Sequence, residues 1–231
     1  MAVRSIRPDP PRQPLSRERV FTAAVDLSDD EGIGALTMRR LAQVLGVEAM
    51  SLYHHVANKD DILGGMVEHV VAEMDLPVPG RPDWKGELRR SAVSAHEVLL
   101  RHRWAANLML SGPGIGQARF RYMDAILGCL REAGFSAEQT DHGYHALDSH
   151  IMGFTLWEVG ISAGIARLPG GVQRFLETDP FADHPYLAEH AEQHMKPQRG
   201  DEEGEYEFGL RLILDGLERL LPRVRRRRAD A

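Results

Sequence analysis

The chain has 231 residues, 43% of them hydrophobic and 6% aromatic, with a formal net charge of −6 and one cysteine. That length holds a small domain and a larger one with its own core, and the scarcity of strand-forming runs points to an all-α protein. Lone Cys129 excludes an internal disulfide and fits a reducing cytoplasm, while the lack of a signal sequence or a long apolar run excludes secretion and a membrane span as expectations.

Residues 1–15, rich in Pro and Arg, read as a disordered arm that either touches a minor groove or is a solvated leader. Ser16 caps a first helix whose Val20, Phe21, Ala24 and Val25 form a core stripe. The run TMRRLAQVLGVEAMSLYHHVANK, Thr37 to Lys59, then reads as two short helices joined by a tight turn, the unit that places a helix in the DNA major groove. Thr37 is the expected N-cap, with Leu36 and Leu41 positioned as a hydrophobic staple. Gly46 stops the first helix by taking a left-handed conformation, and small Ala42 lets the second approach. Leu41, Ala42, Val44, Leu45, Val47, Leu52 and Val56 fall at helical spacings and are assigned to the core.

That assignment leaves Met38, Arg39, Ala49, Met50, Ser51, Tyr53, His54 and His55 pointing outward. Such a surface suits thymine methyls, base edges and phosphates better than water, with Arg39 able to fork onto a guanine and Lys59 to meet a phosphate. Although the net charge is acidic, residues 1–25 carry five Arg against Asp9 and Glu18, a net of +3, and residues 37–59 carry Arg39, Arg40 and Lys59 against Glu48, a net of +2. Asp26, Asp29, Asp30 and Glu31 lie between these stretches, at the end of the first helix expected to face away from DNA. Asn58 caps a fourth helix, with Ile62, Leu63, Met66, Val67, Val70, Val71 and Met74 on its apolar face, which should connect head to body. The segment DLPVPGRPD ends it, so the helix-turn-helix domain with its connecting helix spans residues 16–74.

A second domain is expected over residues 83–221. Asp83 caps a helix reaching about His102, a shorter helix runs to about Leu110, and SGPGIG forms a loop. The next helix ends at Gly134, and Ser136 with Gln139 form a capping box opening a long helix to about Gly164. An irregular stretch follows, with a short helix expected over Tyr186–Met195, and a final helix over Glu205–Leu221. Leu210, Ile213, Leu214, Leu217, Leu220 and Leu221 form its apolar stripe. Gly209 and Gly216 repeat there at the interval shown by Gly153 and Gly160 in the long helix, a pattern of close helix approach either within or between chains. Residues 222–231 form a basic tail whose RVRRRR run binds phosphates or solubilises the chain.

LTMRRLAQVLGV, SLYHHVANKDDIL and VFTAAVDLSDDEGI resemble the three-helix DNA-binding head of the TetR family of bacterial transcriptional repressors. REAGFSAEQ, GFTLWEVG and FGLRLILDGLERL resemble the regulatory domain of the tetracycline repressors within that family. The resemblance implies a homodimer bound to a double-stranded operator and released by a small-molecule effector. It implies DNA contacts from Thr37, Arg39, Met50, Ser51, Tyr53, His54, His55 and Lys59. Ala49 and Met50 stand where those repressors carry Gln and Pro, so a different operator is expected. It also implies a four-helix dimer interface including Gly153, Gly160, Leu210, Ile213 and Leu217; two recognition helices about 34–36 Å apart would read successive turns of a palindrome.

The candidate effector contacts are Trp104, Asn107, Met109, Phe120, Met123, Met152, Phe154 and Trp157, an apolar, polarisable set that lines either a cavity or plain core. Asp141, His145 and Asp148 share a helical face and either anchor a polar group of a ligand or meet water. In the tetracycline repressors an imidazole coordinates magnesium, but here the matching position is Met109, a poor ligand for a hard cation, and Asp75 replaces the histidine ending the fourth helix. A hydrophobic or aromatic effector is therefore expected, with no cofactor and no metal. His190 and His194 have a metal-clamping interval, yet HAEQH departs from HExxH and suits a solvated helix. No catalytic elbow, phosphate loop or dinucleotide fingerprint is present. The remaining reading is a helical enzyme or metal-binding protein with a degenerate head.

Overall fold

A computed structural model describes residues 14–112, 116–167, 174, 177, 180–195 and 204–221. The arm up to residue 13, the basic tail and the His194 side chain lie outside the described residues. Among those described, all regular structure is helical: α1 (Arg17–Glu31), a 3₁₀ turn (Ile33–Ala35), α2 (Met38–Leu45), α3 (Ala49–Leu52), α4 (Lys59–Ala72), α5 (Trp84–Arg101), α6 (Ala105–Ser111), α7 (Gln117–Glu132), α8 (Ala137–Ala166), α9 (Pro185–Met195) and α10 (Glu205–Glu218).

The caps fall where side-chain chemistry places them. Ser16 Oγ accepts from Arg19 N at 3.2 Å, Thr37 Oγ1 from Arg40 N at 3.1 Å, and Asn58 Oδ1 from Asp61 N at 2.9 Å. Each satisfies an amide that the first helical turn leaves without a partner. Gly46 takes φ 67° and ψ 34°, and the Val47 N–H turns back to the Ala42 carbonyl at 3.0 Å, closing α2 in a left-handed cap. In the body, Ser136 and Gln139 cap reciprocally at 3.0 and 3.1 Å.

Helices α1 to α3 enclose Val20, Ala24, Leu36, Leu41, Leu52 and Val56, all buried. Helix α4 closes this core with Ile62 and Met66 and continues into the body through Val67, Val70 and Val71. Phe21 lies directly over Gly65, where a Cβ would collide with its ring, so glycine lets α1 and α4 approach. In the body the 30-residue α8 packs against α5, α6, α7 and α10. Its core joins Leu88, Leu99, Ile126, Leu130, Phe135, Leu147, Leu210 and Leu214.

Several expectations are corrected. Val44 is 47% exposed, because the buried side of α2 is centred between Leu41 and Ala42, flanked by half-buried Met38 and Leu45, and Val44 lies on the far flank of Leu41. Met38 and Ala49, expected outward, are half-buried against the head core. The second helix of the motif is a single turn, Ala49–Leu52, followed by a tight turn through Tyr53 to His55. Leu210 and Leu217 lie buried inside the chain, drawn into the core beside Leu214 by helical spacing. They stand behind the surface face of α10.

Candidate nucleic-acid interface

The recognition surface is built over Leu41, Leu52 and Val56, whose burial fixes which side of α2 and α3 faces water. That side presents Arg39 and Met50, followed by exposed Tyr53 and His54 in the turn after α3 and Lys59 at the start of α4, with Met50 72% and Tyr53 47% exposed. Thr37 is exposed but its hydroxyl is committed to the α2 cap, while Ser51 and His55 are half-buried. Arg39 and Lys59 form no ion pair with any described residue, whereas Arg40 is bound by Glu31, whose carboxyl the guanidinium holds below the usual range. The sequence thus offers two available cations here where the charge count suggests three. An exposed thioether and phenol beside unpaired cations cost the isolated chain apolar exposure and match the edges and backbone of a nucleic acid.

One residue missed in the sequence holds this surface in place. Arg17, at the start of α1, donates to the His55 carbonyl at 3.1 Å, pairs with Asp61 and lies 5.0 Å from the centre of the Phe21 ring. Asp61 also accepts from Ala57 N at 2.9 Å, and that amide, together with Arg17, lowers its carboxyl below the ordinary range against the opposing effect of burial. The turn after α3 is thereby tied to the beginnings of α1 and α4. These partners are 38 and 44 residues apart, beyond any local pattern.

The candidate effector contacts are scattered. Trp104 is buried, but its indole N–H donates to Asp29 Oδ1 of the head at 2.7 Å. Asn107 is exposed, Met109 half-buried and Met152 part of the core. Phe120 and Met123 line an open groove on α7 with Leu127, while His145 is exposed and 3.6 Å from Asp141. Trp157 lies on the exposed face of α8, with the ring of half-buried Phe154 5.4 Å away and tilted by 54°.

The polar interior of the body is instead made by residues that sequence reasoning passed over. The Thr155 hydroxyl donates to the Ile151 carbonyl at 2.7 Å, which leaves its oxygen to accept from His96 Nδ1 at 2.8 Å. His96 stacks on Tyr206 at 3.9 Å and sets Nε2 3.3 Å from Glu158, while His150 stacks on the same phenol at 4.9 Å. The Tyr206 hydroxyl donates to the Ala92 carbonyl at 2.6 Å. Burial lowers the His96 pKa from its ordinary value despite Glu158, and raises those of Tyr122 and Asp148. Cys129 is buried, and desolvation pushes its thiol up to about 11, consistent with an unreactive core cysteine.

The predicted dimer positions divide by exposure. Gly153 and Gly160 are open, with nothing near an added Cβ, and share the outer face of α8 with Trp157 and Ile161. The outer face of α10 presents Phe208, Leu212 and Gly216, while Ile213 is half-buried. Gly209, by contrast, faces His150 within the chain.

Two family models match: "Bacterial regulatory proteins, tetR family" over residues 20–66 and "Tetracyclin repressor-like, C-terminal domain" over residues 76–221. The chain is 30% identical over 207 residues to the tetracycline repressor protein class D of Escherichia coli, covering 88% of this chain and 89% of that one. A possible TetR family transcriptional regulator from Streptomyces coelicolor A3(2) superposes with a TM-score of 0.72 at 33% identity, covering 89% of this chain and all of that one. Streptomyces coelicolor ActR in complex with actinorhodin superposes with a TM-score of 0.69 at 27% identity, over 90% and 98% of the two chains. With a helix-turn-helix head matching one model and a helical body matching the other, the chain belongs to the TetR family of bacterial transcriptional regulators.

Proposed function

We propose that the protein is a cytoplasmic homodimeric repressor that holds a palindromic double-stranded operator and releases it when its body binds a small hydrophobic or aromatic effector. The observation that carries the reading is the exposed set Arg39, Met50, Tyr53, His54 and Lys59 over a fully buried head core. Base readout falls to Arg39, Met50, Ser51 and Tyr53, with Ala49 offering only a methyl. The phosphate contacts fall to Thr37, His54, His55 and Lys59. Dimerisation is supported by the open small-residue face of α8 at Gly153 and Gly160 with Trp157, together with Phe208, Leu212 and Ile213 of α10. A symmetric pair of such faces buries apolar area that a monomer leaves in water.

The effector reading is supported by the apolar, polarisable Met109, Phe120, Met123, Met152 and Trp157, with Asn107 and His145 as polar anchors, and by the actinorhodin held by ActR. Met109 disfavours a magnesium-chelated ligand. The test is binding to DNA upstream of the gene, or to sites selected from random DNA, at two salt concentrations. Saturable binding should weaken steeply with salt, and Lys59→Ala, which removes one phosphate contact from each of the two heads, should reduce the salt slope by about 2. Salt-insensitive or unsaturable binding would refute operator recognition. Calorimetric titration should show no tight binding of magnesium-tetracycline, and tight binding would overturn the effector assignment.

A further inference from the structure

The acidic end of α1 does more than keep negative charge away from DNA. Asp29 Oδ1 accepts from the Trp104 indole N–H at 2.7 Å, and its Oδ2 accepts from His102 Nδ1 at 2.8 Å. Both partners belong to the body, in the loop between α5 and α6, and both are nine-tenths buried. The far side of the imidazole faces Glu73 at the end of α4, with Nε2 3.4 Å from its carboxylate, and Arg101 holds that carboxylate at 2.8 Å. One carboxylate of the head is thus gripped by two body side chains, beside the end of the connecting helix.

We infer that Asp29 is a positioning residue for DNA recognition: it locks the head to the body at a point off the α4 axis and thereby sets the separation of the two recognition elements in the dimer. Helix α4 alone joins the domains along one line, anchored to the body by Glu68, whose carboxylate accepts from Ala118 N at 2.8 Å. Packing fixes the head to the first half of α4, with Phe21 over Gly65, and the body to its second half, so the domains move relative to each other by bending or twisting of that helix. The Asp29 contact lies on a different helix and removes that freedom. Its effect reaches the recognition turn directly, because α1 is pinned at both ends. Asp29 is tied to the body and Arg17, twelve residues earlier and about 18 Å away along the helix, is tied to the His55 carbonyl and Asp61. The loop that supplies the grip also opens α6, which carries the candidate effector residues Asn107 and Met109.

This inference rests on the proposed dimeric operator reading, and half-site spacing separates the two. Inserting one base pair between half-sites shifts one of them by about 3.4 Å and about 34° around the duplex, which a head held at a fixed angle resists and a swivelling head absorbs. Full-length wild-type protein, Asp29→Ala and Trp104→Phe are compared on palindromes selected from random DNA, with spacers changed by one and two base pairs, and on a single half-site. Trp104→Phe keeps the ring and removes only the N–H, so it answers the question if Asp29→Ala folds poorly by circular dichroism. The wild type should prefer its own spacing by about tenfold or more, and the variants should narrow this to about twofold while binding the single half-site as wild type does. An unchanged spacing preference in a folded variant, or a parallel loss of half-site binding, overturns the positioning role. A wild type that binds palindromes with no preferred spacing overturns the dimeric reading as well.

Discussion

Head and body place their chemistry on opposite sides of their cores. The head buries Val20, Ala24, Leu41 and Leu52 and turns Met50, Tyr53, Arg39 and Lys59 outward, whereas the body draws His96, Thr155 and Tyr206 inward and leaves Phe208, Leu212 and Trp157 in water. An exposed recognition surface can change residue by residue with little effect on folding, since exposed side chains contribute little to stability. A polar interior cannot, because each group depends on a partner that would otherwise be buried and unpaired. The contrast predicts that substitutions in the head separate affinity from stability and that those in the body couple them.

The largest expected effect breaks the head from below. Leu52→Ala empties a fully buried site beneath the recognition turn and should cost about 2–5 kcal/mol in chemical denaturation, with DNA binding lost alongside. A cost under about 1 kcal/mol would mean that the short α3 packs more loosely than its burial indicates. Arg39→Ala, in contrast, should leave the melting curve in place while weakening operator binding by about 1–3 kcal/mol, measured by gel shift or anisotropy. A matching drop in stability would erase the distinction between the two regions.

Tyr206→Phe tests the body. It removes the hydroxyl that donates to Ala92 and keeps the ring between α5 and α8, so stability should fall by about 1 kcal/mol with half-site affinity unchanged. The smallest and most specific effect is on pH dependence. Because burial depresses the His96 pKa, the unfolded chain takes up a proton near the ordinary value of 6.5 while the native chain still resists it. Its contribution to stability is therefore intact above that pH and lost as the pH falls from there through the lower, folded-state value. Denaturation at pH 7.5 and at lower pH should show this slope in the wild type and less of it in His96→Phe; an equal slope in both would place the titration elsewhere.

Legibility followed the range of the interactions. Ser16, Thr37 and Asn58 were identifiable as caps because a cap is a bond between residues three apart, and Gly46 because a left-handed helix end favours glycine at one position. Arg39, Met50 and Tyr53 were identifiable as a surface because the helical period separates them from Leu41 and Leu52. Val44 escaped because a β-branched apolar residue at a plausible interval reads as core until the partner helix is placed. The bond of Trp104 to Asp29 is not legible, because nothing near it in the sequence announces a partner 75 residues away.

By itself the sequence determined the helical class, the caps at Ser16, Thr37 and Asn58 and the end of α2 at Gly46, all set by contacts within a few turns of the chain. Only the tertiary structure decided that Arg17 reaches His55, that Asp29 grips His102 and Trp104, that Tyr206 lies against His96, and that Leu210 and Leu217 belong to the core rather than the outer face. The physical reason is that long polar side chains bond to whatever the packing of distant helices brings within about 3 Å, and helical periodicity fixes a residue's direction without naming what it meets.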